Sequence, residues 1–191
     1  MDNFSKFKLA IEESIDVKNK ILKDSNLLDS MDLASKHILK SLKKGNFLYF
    51  CGNGGSASDA QHIAAELSGK LYNDRAPQRA ILLGSNFSSL TAISNDYGYD
   101  HIFSREIDGY GVEGDILLSY STSGKSKNVL NAINKAKEKG LFIISFTGND
   151  GGEMLGISDI CINIPSSNTP RIQECHIMIS HIILDSIDKF L

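Results

Sequence analysis

Five short apolar runs, separated by stretches with helical periodicity, restrict the fold of this chain more than any other feature of its sequence. The runs cover residues 47–51, 80–83, 115–120, 141–146 and 159–164, and each is followed by a turn that contains glycine, serine or proline. Strands that alternate with helices in this way form a parallel sheet with helices on both faces. We therefore predict an α/β fold, a three-layer αβα sandwich around a five-stranded parallel sheet.

Both ends of the chain are predicted to be helical. Residues 3 to about 43 read as two helices, and residues 171–191 form a last helix that begins after Pro170. The length of 191 residues suits one domain with a sizeable core. We expect a single domain over residues 1–191, in which residues 1–45 are a helical extension.

Charge and cysteine usage argue against several classes of protein. The net charge is -3 and the basic residues are scattered, so we expect no nucleic acid partner. The most apolar stretch, residues 177–184, is too short to span a bilayer, so we expect no membrane association. The three cysteines are far apart in sequence, which is typical of reduced thiols and predicts a cytoplasmic location.

The loop after the first apolar run, CGNGGSAS, resembles a dinucleotide-binding fingerprint, with Gly52, Gly54 and Ala57 at its three small positions. That fingerprint also needs an acidic residue at the end of the second strand to hold a ribose. Residues 82–86, LLGSN, contain no carboxylate. The sequence therefore argues against a nicotinamide cofactor.

The loop after the third run, SYSTSGKS, is rich in hydroxyl groups and opens a helix. A nucleotide P-loop would need glycine at position 119, where the chain has Ser119. Free backbone amides and the helix dipole favour an anion there, and the serines could instead be simple helix caps. Because one serine suffices for a cap, four hydroxyl residues in six positions favour the phosphate of a small molecule. These residues are Ser121, Thr122, Ser123 and Ser126.

His62 and Glu66 lie four residues apart on the helix that follows the first loop, so they share one helix face. Such a pair can chelate a divalent ion or transfer protons, but it can also be an ordinary surface ion pair. Apolar neighbours of the pair indicate a largely buried helix. On the last helix, His176 reads as a satisfied core histidine, whereas His181 is a second reactive candidate.

Five segments together resemble the sugar isomerase (SIS) family, and within it the phosphoheptose isomerases. They are CGNGGSASDAQHIAAELSGK, AISNDYGYDHIFSREI, DILLSYSTSGKSKNVLNAI, TGNDGG and RIQECHIMISH. The resemblance implies a flavodoxin-like SIS fold and an aldose–ketose isomerase that converts D-sedoheptulose 7-phosphate to D-glycero-D-manno-heptose 7-phosphate through an enediol. This would be the first step of heptose precursor synthesis for lipopolysaccharide or capsule. It also implies a homotetramer, in which residues 1–45 pack the subunits together.

The same resemblance implies roles for individual residues. The implied zinc ligands are His62, Glu66, Gln173 and His181, and the implied acid–base pair is Glu66 and His181. The implied substrate contacts are Asn53, Gly54, Gly55, Ser56, Glu66, Asn95, Asp96, Ser121, Thr122, Ser123, Ser126 and Gln173. Pro170 and Lys70 depart from the pattern of the relatives, where an acidic residue and an arginine are common.

The four implied metal ligands raise a geometric question. Gln173 and His181 are eight residues apart on one helix, which separates them by about 12 Å along its axis and by about 80° in direction. Either their side chains bend toward each other, or one ligand comes from a neighbouring subunit.

Two other functions remain compatible with the sequence. A non-enzymatic regulator of replication that binds DnaA is similar to this family and can retain much of its loop sequence. The other possibility is an isomerase of another sugar phosphate, such as arabinose 5-phosphate. The complete His62, Glu66, Gln173 and His181 set favours the enzyme.

Overall fold

The sheet is five-stranded and all its strands are parallel, as predicted. The structure, a computed structural model, describes residues 2–191. The strands are β1 (Leu48–Gly52), β2 (Ala80–Leu82), β3 (Ile116–Tyr120), β4 (Phe142–Gly148) and β5 (Ile160–Ile164). Their order is β2-β1-β3-β4-β5, the flavodoxin-like arrangement, in which ligands bind where the order reverses, at the carboxyl ends of β1 and β3.

Eight α-helices accompany the sheet within residues 2–191. They are α1 (Asn3–Lys23), α2 (Ser25–Lys43), α3 (Gly55–Ser68), α4 (Phe87–Tyr97), α5 (Ile102–Tyr110), α6 (Lys127–Glu138), α7 (Met154–Ile157) and α8 (Thr169–Asp188), with a short 3₁₀-helix at Tyr99–His101. The two predicted N-terminal helices are present. The last helix begins at Thr169, before the predicted start, and Pro170 lies inside its first turn. Proline is well placed there because the first helical amides have no acceptor in the helix.

The core consists of two apolar layers, one on each face of the sheet. Alternate strand residues face opposite layers, so Phe50 and Leu118 belong to one layer while Tyr49 and Leu117 belong to the other. Helices α2, α3 and α8 cover the first face, and α5 and α6 cover the second. All five residues of β3 are buried, which explains why the sequence of this strand lacks polar alternation.

His176 lies in the first layer, as the sequence analysis predicted for a core histidine. It is fully buried, its Nε2 lies 2.9 Å from the carbonyl oxygen of Thr147, and its ring packs edge-on against Tyr120 and Phe146. Burial lowers the pKa of His176 to about 4. The neutral ring therefore donates from Nε2 and joins α8 to the end of β4.

Helix α1 attaches to this body through two buried residues and through polar contacts with the start of α8. Val17 and Ile21 are its buried residues, and most of the rest of the helix is exposed. Among residues 2–191, no helix has the length and apolar character needed to cross a membrane.

Candidate active site

The two loops that the sequence analysis singled out meet at one edge of the sheet. Gly52, the last residue of β1, pairs with Tyr120, the last residue of β3, so the loops that follow both strands begin side by side. A Cβ on Gly52 would lie 2.7 Å from the backbone oxygen of Ser56. Only glycine therefore allows the chain to turn so sharply from β1 into α3.

The hydroxyl-rich loop points its side chains at one another instead of capping a helix. Ser126 is the N-cap residue of α6, yet its Oγ lies 3.0 Å from Ser121 Oγ. Ser121 Oγ is also 3.5 Å from Ser123 Oγ, and Thr122 is partly exposed. The simple-cap interpretation is therefore wrong for Ser126. The cluster presents several hydroxyl donors beside the first amides of a helix, an arrangement suited to an anion.

A glycine turn after β4 packs against this serine loop. Gly124 has a φ of +63°, and a Cβ on it would collide with the backbone of Gly151. A Cβ on Gly152 would likewise lie 2.6 Å from the backbone of Gly124. Lys125 and Asp150 join the two segments through an ion pair of 3.1 Å. The glycines of TGNDGG thus allow close backbone contact that holds the serine loop in place.

Asn53 is fixed by side chains that the sequence analysis did not identify. Its amide pairs reciprocally with the buried Asn128, with N–O distances of 2.9 and 2.8 Å. The hydroxyl of Tyr99 donates to the Asn53 Oδ1 at 2.8 Å. Because Asn128 belongs to α6, this pair joins the loop after β1 to the helix that follows the serine loop.

A cavity of about 380 Å³ opens on the other side of Asn53, at the ends of β1 and β2. Asn53, Gly54, Ser58, Gln61, Ser85 and Tyr99 are among the residues that line it. The cavity gives polyhydroxylated ligands access to the amide of Asn53 and to the hydroxyl of Tyr99.

His62, Glu66 and His181 form one group, although they come from two helices. His62 Nε2 lies 3.2 Å from Glu66 Oε1 and 3.2 Å from His181 Nε2. One ligand atom from each of the three lies within 4.8 Å of the others. A single chain is therefore enough to bring these three side chains together, and none of them needs a neighbouring subunit.

Helix α3, which carries His62 and Glu66, is less buried than the sequence indicated. Ile63, Ala64 and Leu67 are buried, but the side chain of His62 is 51% exposed and that of Glu66 is 23% exposed. The expectation of a largely buried helix is wrong, because the apolar residues cover one face only. His62 and Glu66 lie at its border, open to solvent.

Gln173 lies on α8 beside the N-terminal end of α3, away from His62. Its amide nitrogen is 2.6 Å from where a Cβ on Gly55 would stand. Gly55 precedes His62 by seven residues, which is about 10 Å along the axis of α3. The structure thus keeps Gln173 beside the first turn of α3, whereas His181 is beside His62. Its assignment as a fourth metal ligand stays a prediction.

Asp59 occupies the stretch of α3 between Gly55 and His62. Its Oδ2 is buried and has no hydrogen-bond partner within residues 2–191. Burial raises the pKa of Asp59 to about 6, against a smaller lowering effect of His62. The sequence analysis gave this residue no role.

The remaining predicted contacts occupy two places. Ser56 is buried in the first turn of α3, and its amide donates to the carbonyl of Asn53 at 3.0 Å. Asn95 and Asp96 are exposed near the end of α4, where Asn95 Nδ2 donates to Asp96 Oδ1 at 2.8 Å. Within residues 2–191, their hydrogen bonds connect them to neither the serine loop nor the histidines.

Known proteins share this arrangement of elements and loops. The model of the SIS domain family matches residues 12–148 of the chain. The chain belongs to the SIS domain family. This SIS domain is 46% identical over 179 residues to the phosphoheptose isomerase of Sulfurimonas denitrificans, covering 94% of this chain and 92% of that protein. It is also 46% identical to the phosphoheptose isomerase of Clostridium acetobutylicum, covering 100% of this chain and 96% of the relative.

Solved structures extend this similarity to three dimensions. The phosphoheptose isomerase of Neisseria gonorrhoeae superposes with a TM-score of 0.92 at 38% identity, over 98% of this chain and 100% of the other. That of Francisella tularensis gives a TM-score of 0.95 at 34% identity, over 99% and 100% of the two chains. The predicted αβα fold with a flavodoxin-like sheet is thereby confirmed.

The donor set fits a divalent metal ion. Two ligands of a tetrahedral zinc ion lie about 3.4 Å apart when each bond is about 2.1 Å. The two 3.2 Å separations around His62 Nε2 are close to that value. Two imidazole nitrogens and one carboxylate oxygen are also a common set for zinc, and three protein ligands would allow a substrate oxygen to bind as a fourth.

Proposed function

We propose that this SIS domain is an aldose–ketose isomerase that converts D-sedoheptulose 7-phosphate to D-glycero-D-manno-heptose 7-phosphate. The observation that carries the proposal is the group of His62, Glu66 and His181 within one chain. Relatives that bear the name phosphoheptose isomerase match nearly the whole chain at 46% identity. The product would supply precursors of activated heptose for lipopolysaccharide or capsule.

Glu66 and His181 have the chemistry to move the protons of this reaction. One group removes a proton from C1 of the open-chain ketose, and the electrons of the C–H bond form the C1–C2 double bond of an enediol while the C2 oxygen gains a proton. A proton is then delivered to C2 and the C1 hydroxyl loses its proton, which leaves an aldehyde at C1. We assign the C1 proton to Glu66 and the hydroxyl protons to His181.

A zinc ion held by His62, Glu66 and His181, with Gln173 as a further proposed ligand, would polarise the carbonyl oxygen of the substrate. The separations around His62 support His62, Glu66 and His181 as ligands, whereas the proposed role of Gln173 rests on the family resemblance alone. Prolonged chelation that leaves the reaction rate unchanged would contradict a role for metal.

The phosphate of the substrate would bind to the hydroxyl cluster of Ser121, Thr122, Ser123 and Ser126. Support comes from the Ser126 hydroxyl, which lies next to Ser121 Oγ and not on a helix amide. Asn53, Gly54, Gly55 and Ser56 would contact the sugar, together with Gln173, Asn95 and Asp96. A monophosphate suits this cluster because hydroxyl groups and helix amides together offer several donors to one anion.

We also propose that the protein is a homotetramer in which α1 packs subunits together. Phe4, Phe7, Ile11, Ile15 and Leu22 are between 52% and 77% exposed, and at 100° per residue they fall within an arc of about 80°. Val17 and Ile21, which attach α1 to the body, lie on another side. An exposed apolar stripe of this kind, here interrupted by Lys18 between Ile15 and Leu22, is typical of a subunit interface.

We also propose a cytoplasmic location. The three cysteines, Cys51, Cys161 and Cys175, are free thiols, as the sequence analysis expected of a reducing compartment.

The decisive experiment incubates the purified protein with D-sedoheptulose 7-phosphate in deuterated water. We expect formation of the aldose and incorporation of deuterium at carbon, both dependent on added zinc. Arabinose 5-phosphate serves as a second substrate, because preferential turnover of that sugar would replace the proposed substrate with a shorter one. Absence of turnover on both sugars, combined with capture of DnaA, would favour the replication regulator.

A further inference from the structure

His62, Glu66 and His181, together called the reactive group below, lie on helices α3 and α8. The C-terminal ends of these two helices are joined by a buried ion pair. Arg75 Nε lies 2.9 Å from Asp188 Oδ1, and their side chains are 6% and 2% exposed. Asp188 is the last residue of α8, seven residues after His181. Arg75 comes from the segment that follows α3.

Arg75 also binds the end of α3 directly. Its Nη2 donates to the backbone oxygen of Glu66 at 3.0 Å, and its Nη1 donates to the backbone oxygen of Leu67 at 3.0 Å. The last carbonyls of a helix have no amide partner within it, and a cation there interacts favourably with the helix dipole. Arg75 therefore completes the hydrogen bonding of the turn to which Glu66 belongs.

Asp188 is satisfied on both of its oxygens. While Oδ1 accepts from Arg75, Oδ2 accepts from the Asn73 amide at 3.0 Å and from Asn73 Nδ2 at 2.7 Å. Burial alone would raise the pKa of Asp188, but the hydrogen bonds from Arg75 and Asn73 outweigh it and hold that pKa below its ordinary value. Such a buried pair costs desolvation energy and is tolerated because every charged group has partners.

We propose that Arg75 and Asp188 are positioning residues that set the placement of Glu66 relative to His181. Arg75 holds the backbone of Glu66, and Asp188 holds the helix of His181, so one guanidinium connects the two halves of the reactive group. The role rests on the proposed function, although the metal affinity of the group can be measured without any reaction. Neither residue is among the proposed substrate contacts.

The variant that separates charge from hydrogen-bond geometry is Arg75→Lys, which keeps the positive charge but loses the several N–H donors that the planar guanidinium presents. One ammonium group cannot pair with Asp188 while also donating to the carbonyls of Glu66 and Leu67 with the same geometry. Asp188→Asn tests the other partner, and it keeps nearly the same shape. Asn73→Ala removes one donor to Asp188 and should have a smaller effect in the same direction.

Asp115→Asn is the matched control. Asp115 is 1% exposed and accepts from the backbone amides of Phe47 at 2.8 Å and Val112 at 3.1 Å. It precedes β3 and so lies at the amino edge of the sheet, opposite the reactive group. This variant loses buried hydrogen bonds of a similar kind without touching α3 or α8.

Zinc affinity is measured by competition with a chromogenic chelator, and kcat and KM are measured alongside thermal unfolding. We expect Arg75→Lys and Asp188→Asn to lower zinc affinity and kcat by about 10- to 100-fold, the usual effect of removing a residue that orients metal ligands. KM should stay within about twofold, because the serine loop is untouched. Asp115→Asn should lower the unfolding temperature but leave zinc affinity and kcat unchanged.

Arg75→Lys and Asp188→Asn proteins with wild-type zinc affinity and kcat would overturn the proposal, whatever their stability. If Arg75→Lys does not fold, Asp188→Asn and Asn73→Ala decide by the same measurements. If the wild-type protein binds zinc but isomerises no sugar, the proposed function fails, and the zinc affinities of the variants still test the positioning role.

Discussion

The carboxylate of Glu66 has two proposed tasks, because it binds the metal and removes the C1 proton. Glu66→Gln keeps the shape of the side chain but loses its basicity. We expect turnover to fall to the background rate, while binding of the phosphorylated sugar stays measurable by calorimetry. A variant that retains substantial turnover would reassign the C1 proton to His181. Asp185→Asn removes one negative charge from an exposed position of α8 and is the control for the change of charge.

Ser126 offers a clean test of the phosphate site. A hydrogen bond to a charged group contributes about 1.5–3 kcal/mol, so Ser126→Ala should raise KM for the phosphorylated sugar by roughly 10- to 100-fold. Turnover of the unphosphorylated ketose, however slow, should be unchanged by the substitution. Ser68→Ala provides the control, since that hydroxyl bonds to Ala64 O at the far end of α3. Equal losses on both sugars would place Ser126 outside the phosphate site.

At the scale of single residues, the sequence identifies functional residues whose partners are close in the chain. His62 and Glu66 are four apart, and the serines lie within six positions, so periodicity and turn chemistry suffice to identify them. Asn128, Tyr99 and Arg75 were missed because each acts on a partner that is near only after folding. An asparagine in the first turn of a helix gives no local sign that it will pair with Asn53, 75 residues away in sequence.

At the scale of elements, His176 makes the attachment of α8 to β4 sensitive to acid. Its pKa is lowered from 6.5 to about 4 in the folded protein, so the unfolded chain takes up the proton at a higher pH. This contribution to stability is therefore fully present above pH 6.5 and is lost as the pH falls toward 4. Asp59 acts in the opposite sense, because its pKa is raised to about 6.

Comparison of the wild type with His176→Gln separates the effect of His176 on stability from that of Asp59. Glutamine can donate to Thr147 O but does not titrate in this pH range. Unfolding by urea in the presence of a chelator should show the wild type more stable at pH 7. The difference in free energy of unfolding should shrink by roughly 2 kcal/mol between pH 7 and pH 5. A difference that stays constant with pH would mean that His176 is not the neutral core residue described above.

All five strands match the predicted apolar runs to within two residues. Continuous burial leaves a continuous apolar sequence in β1 and β3, and the short, partly buried β2 was identified by its apolar residues and the turn that follows them. Helix α8 begins earlier than predicted, because Pro170 is tolerated in a first turn and does not have to precede it. The exposure of His62 was missed, because apolar neighbours reveal that a helix has a buried face and not how wide that face is.

At the scale of the whole molecule, the apolar stripe of α1 predicts association. Phe7→Lys combined with Ile11→Lys places two charges in the stripe and should reduce the mass measured by light scattering from that of four chains. Leu9→Lys is the matched control, because Leu9 is 49% exposed on the same helix but lies well away from the stripe in direction. If the double variant keeps the mass of four chains, the stripe is not the surface that packs the subunits together.

Association also bears on residues that a single chain leaves open. Every residue of α4 is at least partly exposed, including Phe87 at 75% and Tyr97 at 54%. Asn95 and Asp96 belong to this helix, so their exposed side chains are open to a ligand and to a neighbouring subunit alike. The sequence of one chain cannot reveal this, because exposure and interface look alike in a hydrophobic pattern.

The contact between His62 and His181 spans 119 positions of the chain, and this separation has a consequence for biosynthesis. All five strands precede α8, so a ribosome has released every strand before the second histidine emerges. The contact therefore becomes possible only after all five strands are available to pair. A chain that terminates before His181 would keep His62 and Glu66 but lack the third ligand, so tight capture of a metal ion would report that synthesis has passed α8.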